Sequence, residues 1–203
     1  MTVKYKQDIV IAGVGGQGIL TIAGVIGMAA LKKGLHVKQS EVHGMAQRGG
    51  AVVSHLRFSE QHIASDLIPH AGASLLLSTE IMETLRYFPS LKKDAWVVAN
   101  KHPLQNISNY PPLEPLIQAV ESWPHHLLID AEHLAREAGA RRAVNIVMLG
   151  AASPFIHLPV EDLRAEVGKY FSGKGAEVVE KNLKAFDLGR EFSSRFQVPG
   201  SKL

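Results

Sequence analysis

One stretch of the sequence gathers side chains that could bind an anion or move a proton. It covers residues 40–50, and its candidate ligand or interface residues are Glu41, His43, Gln47, Arg48, Gly49 and Gly50. The forked guanidinium of Arg48 suits a phosphate or a carboxylate, and the imidazole of His43 donates or accepts a proton near neutral pH. The same side chains could instead tie the loop to a neighbouring subunit or to backbone carbonyls, and both hypotheses stay open.

A second candidate site is a glycine turn that consists of Gly13, Gly15, Gly16, Gln17 and Gly18. Glycines at this spacing, between a strand and a helix, are typical of dinucleotide-binding turns, in which the free amides of the helix receive a phosphate. Glu41 follows Gly18 by 23 residues and could then bind a ribose. The alternative is a turn that only packs closely, as Gly24 and Gly27 in the following helix would suggest.

The sequence offers no recognisable set of metal ligands or catalytic residues. The absence of cysteine among its 203 residues excludes disulfides, thiolate zinc sites, a cysteine nucleophile and cysteine-ligated iron–sulfur clusters on this chain. None of the ten histidines forms an i, i+4 pair that would place two ligands on one helix face. We therefore expect no metal site, and no nucleophile elbow or phosphate loop is present either.

Composition limits the partners of the chain. The formal net charge is +3 and the basic clusters are only two residues long, so nucleic acid is not an expected partner. No apolar stretch approaches the length of about 18 residues that a membrane span needs, and no signal peptide is visible, so we expect a cytoplasmic protein without membrane contact. The length and the 46% apolar content predict a single domain over residues 1–203.

Alternating strands and helices must position these sites. Apolar, β-branched segments predict strands at residues 8–14, 35–41, 51–58, 73–77, 96–99 and 126–130. Predicted helices cover residues 19–33, 81–88, 131–138, 143–152, 159–171 and 175–192. This order predicts an α/β class, Rossmann-like three-layer domain with a mostly parallel sheet and a helical C-terminal portion. The stretch 40–50 follows the second strand, so we expect it in the crevice beyond the carboxyl ends of the strands.

The segment between residues 101 and 124 differs from the rest of the chain. It contains five prolines, which predict brief regular structure, with at most a short helix after Pro115.

Two strings carry a family resemblance. GVGGQG at residues 13–18 and SEVHGMAQRGG at residues 40–50, in this order and at this distance, resemble the small (beta) subunits of indolepyruvate ferredoxin oxidoreductases, which are gamma-type domains of 2-oxoacid:ferredoxin oxidoreductases. The resemblance continues through VSHLR at 53–57, NIVMLGA at 145–151 and NLKAF at 182–186. Between about residues 100 and 127 no motif matches, and the role of that segment stays open.

The resemblance implies a partner, a large (alpha) subunit that carries thiamine diphosphate and iron–sulfur clusters. The complex would decarboxylate an arylpyruvate oxidatively, with electrons passing to ferredoxin and the acyl group to coenzyme A. The chain by itself would bind no cofactor and be inactive, and we expect it to self-associate when isolated. Arg48, Gln47 and His43 would then line the interface near the thiamine site or contact coenzyme A phosphates.

Two other functions remain possible from the residues alone. One is a free-standing NAD-binding protein that uses the glycine turn and Glu41. The other is a purely structural domain that stabilises a partner through the apolar helix at residues 143–152.

Overall fold

A six-stranded sheet forms the middle layer of the protein. The computed structural model describes residues 5–44, 49–105 and 107–195. The strands are β1 (Lys6–Val14), β2 (His36–His43), β3 (Ala51–Ser59), β4 (Ala73–Ser78), β5 (Leu91–Asn100) and β6 (His126–Ile129), in the spatial order β2-β3-β1-β4-β5-β6. The helices are α1 (Ile19–Lys32), α2 (Ile81–Arg86), α3 (Leu113–Glu121), α4 (Ala131–Glu137), α5 (Val144–Ala152), α6 (Val160–Phe171) and α7 (Ala176–Ser194).

The sheet is mostly parallel, as the sequence predicts. β1, β4, β5 and β6 run in one direction, whereas β3 is antiparallel to both of its neighbours, β1 and β2. The connection between β2 and β3 is only residues 44–50, which is too short for a crossover to a parallel strand. β2 and β3 therefore form a hairpin, and β2 points in the same direction as β1.

Helices cover both faces of the sheet, which confirms the three-layer architecture. One face packs against α1 and the four C-terminal helices, and the other packs against α2 and α3. α5 lies between the sheet and α7, and every residue from Asn145 to Ala152 is buried. The predicted helical C-terminal portion is thus present, with α5 as its core.

Close packing of α5 on α7 depends on two glycines. A Cβ on Gly150 would lie 2.0 Å from the carbonyl oxygen of Phe186, and a Cβ on Gly189 would lie 2.0 Å from the carbonyl oxygen of Val147. Because residues 145–152 of α5 are buried within their own chain, the helix presents no apolar surface to a partner, and the hypothesis of a partner-stabilising helix at residues 143–152 is wrong.

The close packing expected at Gly24 and Gly27 is also wrong. A Cβ on Gly24 would meet its nearest atom, in Tyr170, at 3.9 Å, and one on Gly27 would meet Val37 at 3.7 Å. Both distances are ordinary van der Waals contacts.

Most element bounds lie within two residues of prediction, and several differences have a visible reason. β2 continues to His43, so residues 40–43 belong to the strand, and the expectation that the whole stretch 40–50 follows the second strand is wrong for them. β5 begins five residues earlier than expected, because Leu91 already pairs with Ala73, although exposed Lys92 and Lys93 interrupt the apolar pattern and the register shifts before Trp96.

α2 ends at Arg86, ahead of a short 3₁₀ turn that contains Pro89. α3 starts at Leu113, so that Pro115 stands in its first turn, where proline is tolerated. Within the described part of the chain, no helix is long and apolar enough to cross a membrane.

Candidate functional site

The two stretches selected from the sequence meet at the carboxyl edge of the sheet. Val14, the last residue of β1, pairs with Ala51, the first residue of β3. The next amide, Gly15 N, donates to the carbonyl oxygen of Gly50 at 2.9 Å. The glycine turn (residues 13–18) therefore lies directly against the base of the hairpin tip, defined here as residues 44–50.

The described part of the hairpin tip closes on itself. The Gly44 amide donates to the Ala51 carbonyl oxygen at 2.8 Å, and Gly49 takes a positive φ of 79°. Gln47 and Arg48 lie outside the described residues. The roles expected for these two side chains thus stay predictions.

The side chain of Gln17 fills the glycine turn. Its Oε1 accepts hydrogen bonds from the Val14 amide and from the Thr79 hydroxyl, both at 2.8 Å. The Thr79 amide in turn donates to the Ala12 carbonyl oxygen at 3.0 Å. The turn is therefore fastened to the end of β4 by contacts within the protein.

Two glycines of the turn are required by their neighbours. A Cβ on Gly13 would lie 2.1 Å from the Thr79 hydroxyl, so this side chain would have to move. Gly18 has a φ of 78°, and its Cβ would lie 2.3 Å from Nδ2 of Asn145, which donates to the Gly18 carbonyl oxygen at 3.3 Å. Only glycine combines this backbone conformation with this close approach.

This geometry favours a packing role for the turn over dinucleotide binding. The amides of Val14 and Gly15 already donate within the protein. β3 also separates β1 from β2, so Glu41 lies two strand spacings, about 10 Å, from β1.

The Glu41 carboxylate instead lies against the imidazole Nε2 of His43, its neighbour on the same face of β2. The Glu41 side chain is only 12% exposed, whereas that of His43 is 61% exposed. Ser54, the cross-strand neighbour of Glu41, is fully buried, and its hydroxyl has no hydrogen-bond partner among the described residues. A largely buried carboxylate thus lies against an accessible imidazole beside the hairpin tip.

Polar residues at the ends of β4 and β5 form hydrogen bonds along the carboxyl edge of the sheet. The sequence analysis did not identify them. Asn100 is fully buried and donates through Nδ2 to the Thr79 carbonyl oxygen and to Glu132, both at 3.1 Å. Its Oδ1 accepts from the Ala131 amide at 3.2 Å. Asn100 could have been identified because it is a polar residue at the end of a buried apolar strand, a position where parallel sheets place functional groups.

Buried Glu80 anchors the proline-containing segment whose role the sequence leaves open. Its carboxylate accepts from the Glu83 amide at 2.9 Å, which caps α2, and from the Leu104 amide at 3.2 Å and the Tyr110 hydroxyl. Burial, followed by the hydrogen bond to Glu80, raises the pKa of Tyr110, so the phenol stays protonated and donates. The segment is thereby held over the carboxyl ends of β4 and β5.

The described residues do not assemble a metal or cluster site. No group of three His, Asp or Glu side chains within residues 5–44, 49–105 and 107–195 could hold a metal ion. With no cysteine anywhere in the sequence, the chain lacks the thiolates that an iron–sulfur cluster requires.

The fold and the edge define a Rossmann-like domain in which a hairpin is inserted beside β1. Among solved structures, a 2-oxoglutarate:ferredoxin oxidoreductase from Magnetococcus marinus, described with 2-oxoglutarate, coenzyme A and succinyl-CoA bound, has this fold, with a TM-score of 0.75 and 22% identity. The match covers 95% of this chain and 32% of the longer Magnetococcus chain.

Sequence comparison is more specific. The chain is 40% identical to indolepyruvate oxidoreductase subunit IorB of Pyrococcus horikoshii and 38% identical to that of Thermococcus kodakarensis. Both matches cover 91% of this chain and 94% of the relative. Residues 8–192 match the model of the pyruvate ferredoxin/flavodoxin oxidoreductase family. The chain belongs to this family, as a small subunit of the 2-oxoacid:ferredoxin oxidoreductase class.

Proposed function

We propose that this chain is the small subunit of a complex that oxidatively decarboxylates indolepyruvate and related arylpyruvates. Electrons pass to ferredoxin, and the acyl group passes to coenzyme A. The observation that carries the proposal is the near-full-length similarity to subunits named for indolepyruvate oxidation. A cytoplasmic location is part of the same proposal.

Thiamine diphosphate and the iron–sulfur clusters belong to the large subunit in this proposal. The support on this chain is chemical, because cluster ligation needs thiolates and the sequence has none. When bound on the partner, thiamine diphosphate supplies the carbanion stabilisation that decarboxylation of a 2-oxoacid requires. This chain contributes binding and positioning at the hairpin tip, and its isolated form is inactive.

The hairpin tip contacts coenzyme A or the partner beside the thiamine site. Its base is held by the Gly15–Gly50 and Gly44–Ala51 hydrogen bonds. Arg48 supplies a forked donor for a phosphate, and His43, beside Glu41, supplies an accessible imidazole. The related Magnetococcus protein, which was described with coenzyme A bound, makes coenzyme A the first ligand to test.

Replacement of Arg48 by Ala in the reconstituted complex tests this assignment. Loss of a charge-assisted hydrogen bond of about 1.5 kcal/mol predicts a roughly tenfold rise in the coenzyme A concentration that gives the half-maximal rate. The measurement is ferredoxin reduction with indolepyruvate at varied coenzyme A.

Arg195→Ala is the matched control, because it removes a surface arginine that pairs with Glu191 far along α7. It should leave the coenzyme A dependence unchanged. An Arg48→Ala complex that assembles normally and keeps the wild-type coenzyme A dependence would refute the contact.

A further inference from the structure

A cavity of about 530 Å³ opens among α1, α5, α6 and α7, next to the glycine turn. Asn145 in its wall is buried and donates to the Gly18 carbonyl oxygen, so the cavity and the turn share a side chain. None of the described residues in the ranges 13–18, 40–44 and 49–50 lines it. Its volume lies within the range of about 300–1,000 Å³ that is usual for small-molecule sites.

The lining of the cavity is cationic. Arg141, Arg142, Lys174 and Lys181 line it, and no carboxylate among the described residues does. Lys181 is paired with Glu177, but the other three have no ion pair with any residue in the described ranges. Three positive charges around one opening repel one another unless an anion lies between them.

The start of α5 adds to the positive potential. Ala143, which caps this helix and lines the cavity, provides no side-chain hydrogen bond, and the first turn contains no acidic residue. The free amides of the helix start thus carry a partial positive charge toward the same opening.

The rest of the wall combines apolar and aromatic side chains with the polar residues Thr21, Asn145 and Asn182. Tyr170 lines the cavity with 48% of its surface exposed, and its ring packs edge-on against Phe171, with the ring centroids 5.2 Å apart. A hydrogen bond of 3.2 Å between the Tyr170 hydroxyl and Thr21 fixes the ring. Lys174 lies over the Phe171 ring, 5.3 Å from its centroid, and keeps its charge free of an ion pair among the described residues. An exposed aromatic ring beside such cations suits a ligand that has both a flat ring and phosphates.

A second cavity shows that this lining is not a general property of the C-terminal helices. It has a volume of about 300 Å³, lies between α4 and α7, and is lined by Asp130, Glu137 and Glu191 together with one arginine. The two cavities have opposite charge character although they share α7.

We propose that the cationic cavity binds a phosphorylated nucleoside. The base stacks on Tyr170, and the phosphates lie against Arg141, Arg142 and Lys174. The proposed ligand is a free nucleotide such as ADP, since the proposed function assigns coenzyme A to the hairpin tip and not to this cavity. The site exists on this chain alone, so its occupancy does not depend on turnover by a complex.

Calorimetric titration of the full-length chain with ADP, coenzyme A, adenosine and pyrophosphate tests the proposal. ADP should bind saturably, and adenosine and pyrophosphate should each bind at least tenfold more weakly, because adenosine lacks the phosphates and pyrophosphate lacks the base. Coenzyme A contains an ADP unit and should bind no more tightly than ADP.

Two pairs of variants localise the binding. Arg141→Ala combined with Arg142→Ala should weaken binding at least tenfold, whereas Arg136→Ala, which removes an exposed arginine of α4 outside the cavity, should not. Tyr170→Leu should weaken binding, and Tyr170→Phe, which keeps the ring, should not. Thermal unfolding of each variant confirms that it is folded.

Four outcomes would overturn the proposal. The first is no saturable binding of ADP, and the second is binding that survives in the folded double-arginine variant. The third is pyrophosphate binding as tight as that of ADP, which would leave only an anion site. The fourth is coenzyme A binding at least tenfold more tightly than ADP, which would assign the cavity to coenzyme A. All readouts are binding constants of the chain itself, so they stand apart from the activity assay that tests the proposed function.

Discussion

Single side chains hold the hairpin and the loop that follows it against the sheet. Arg57 on β3 forms a forked pair with Asp8 on β1, with nitrogen–oxygen distances of 2.6 and 3.2 Å, and also donates to the carbonyl oxygens of Ser65 and Leu67. His55 accepts from the Ile68 amide through Nδ1 at 2.9 Å. The polar face of β3 is therefore covered by residues 60–72, and these contacts position the hairpin.

His55 makes this arrangement sensitive to pH. Burial, with a smaller effect of Arg57, lowers the pKa of His55 below its ordinary value of 6.5. Between the lowered pKa and 6.5 the folded state binds fewer protons than the unfolded chain, so the free energy of unfolding falls as the pH drops through this window. Protonation also removes the lone pair that accepts from Ile68. Urea unfolding should show a lower free energy of unfolding at pH 5 than at pH 8.

Two variants separate the contribution of His55 to this pH dependence from the contributions of the other titrating groups. His55→Gln keeps an acceptor but does not titrate, so its stability should fall less with decreasing pH. His102→Gln, at an exposed position, should keep the wild-type dependence. Parallel pH profiles for the wild type and His55→Gln would contradict the assignment.

At the scale of single residues, the sequence predicts the positions of the structurally required glycines Gly13 and Gly18, but not the contacts that require glycine there. Gly13 and Gly18 follow from their spacing, but the reason for Gly18 is Asn145, which is 127 residues away in the chain. Gln17 and Thr79 form one clamp across 62 residues, and no local pattern links them. Contacts between distant segments depend on strand order, which local propensities do not determine.

Helices and strands are predicted from local sequence patterns more reliably than contacts between single residues are. All six predicted strands are present, and the buried helix α5 is predicted almost to the residue. The hairpin is the exception, because its strands are predicted individually, whereas the place of β3 between β1 and β2 depends on pairing. Close contacts between helices are not predictable from local sequence either. Gly24 and Gly150 both lie in apolar helical segments, but of these two only Gly150 packs directly against the backbone of another helix.

Substitution of these two glycines tests the packing of α5 on α7. Gly150→Ala should destabilise the protein by about 3 kcal/mol, because its Cβ would overlap the Phe186 carbonyl and force the helices apart. Gly24→Ala has room for its Cβ and should gain about 0.5–1 kcal/mol from helix propensity. Urea unfolding measures both. Equal effects of the two substitutions would show that the helices do not pack in this way.

At the scale of the whole molecule, the carboxyl edge combines a hairpin tip, a locked glycine turn and a cationic cavity, with no ligands for a redox centre among the described residues. The proposed function assigns binding and positioning to this chain and electron transfer to a partner. At the level of the sequence, this proposal rests on the family resemblance together with the missing cysteines. The cavity could not be predicted, because its walls come from four helices.

The most direct test is reconstitution of the chain with the large subunit encoded for the same oxidoreductase. Ferredoxin reduction with indolepyruvate and coenzyme A should require both chains, and the small chain alone should be inactive. The isolated small chain should also self-associate, and a monodisperse monomer would contradict that expectation. The central claim would be contradicted if both chains together failed to assemble and turn over, or if the small chain alone bound NADH saturably and lost that binding in Glu41→Ala.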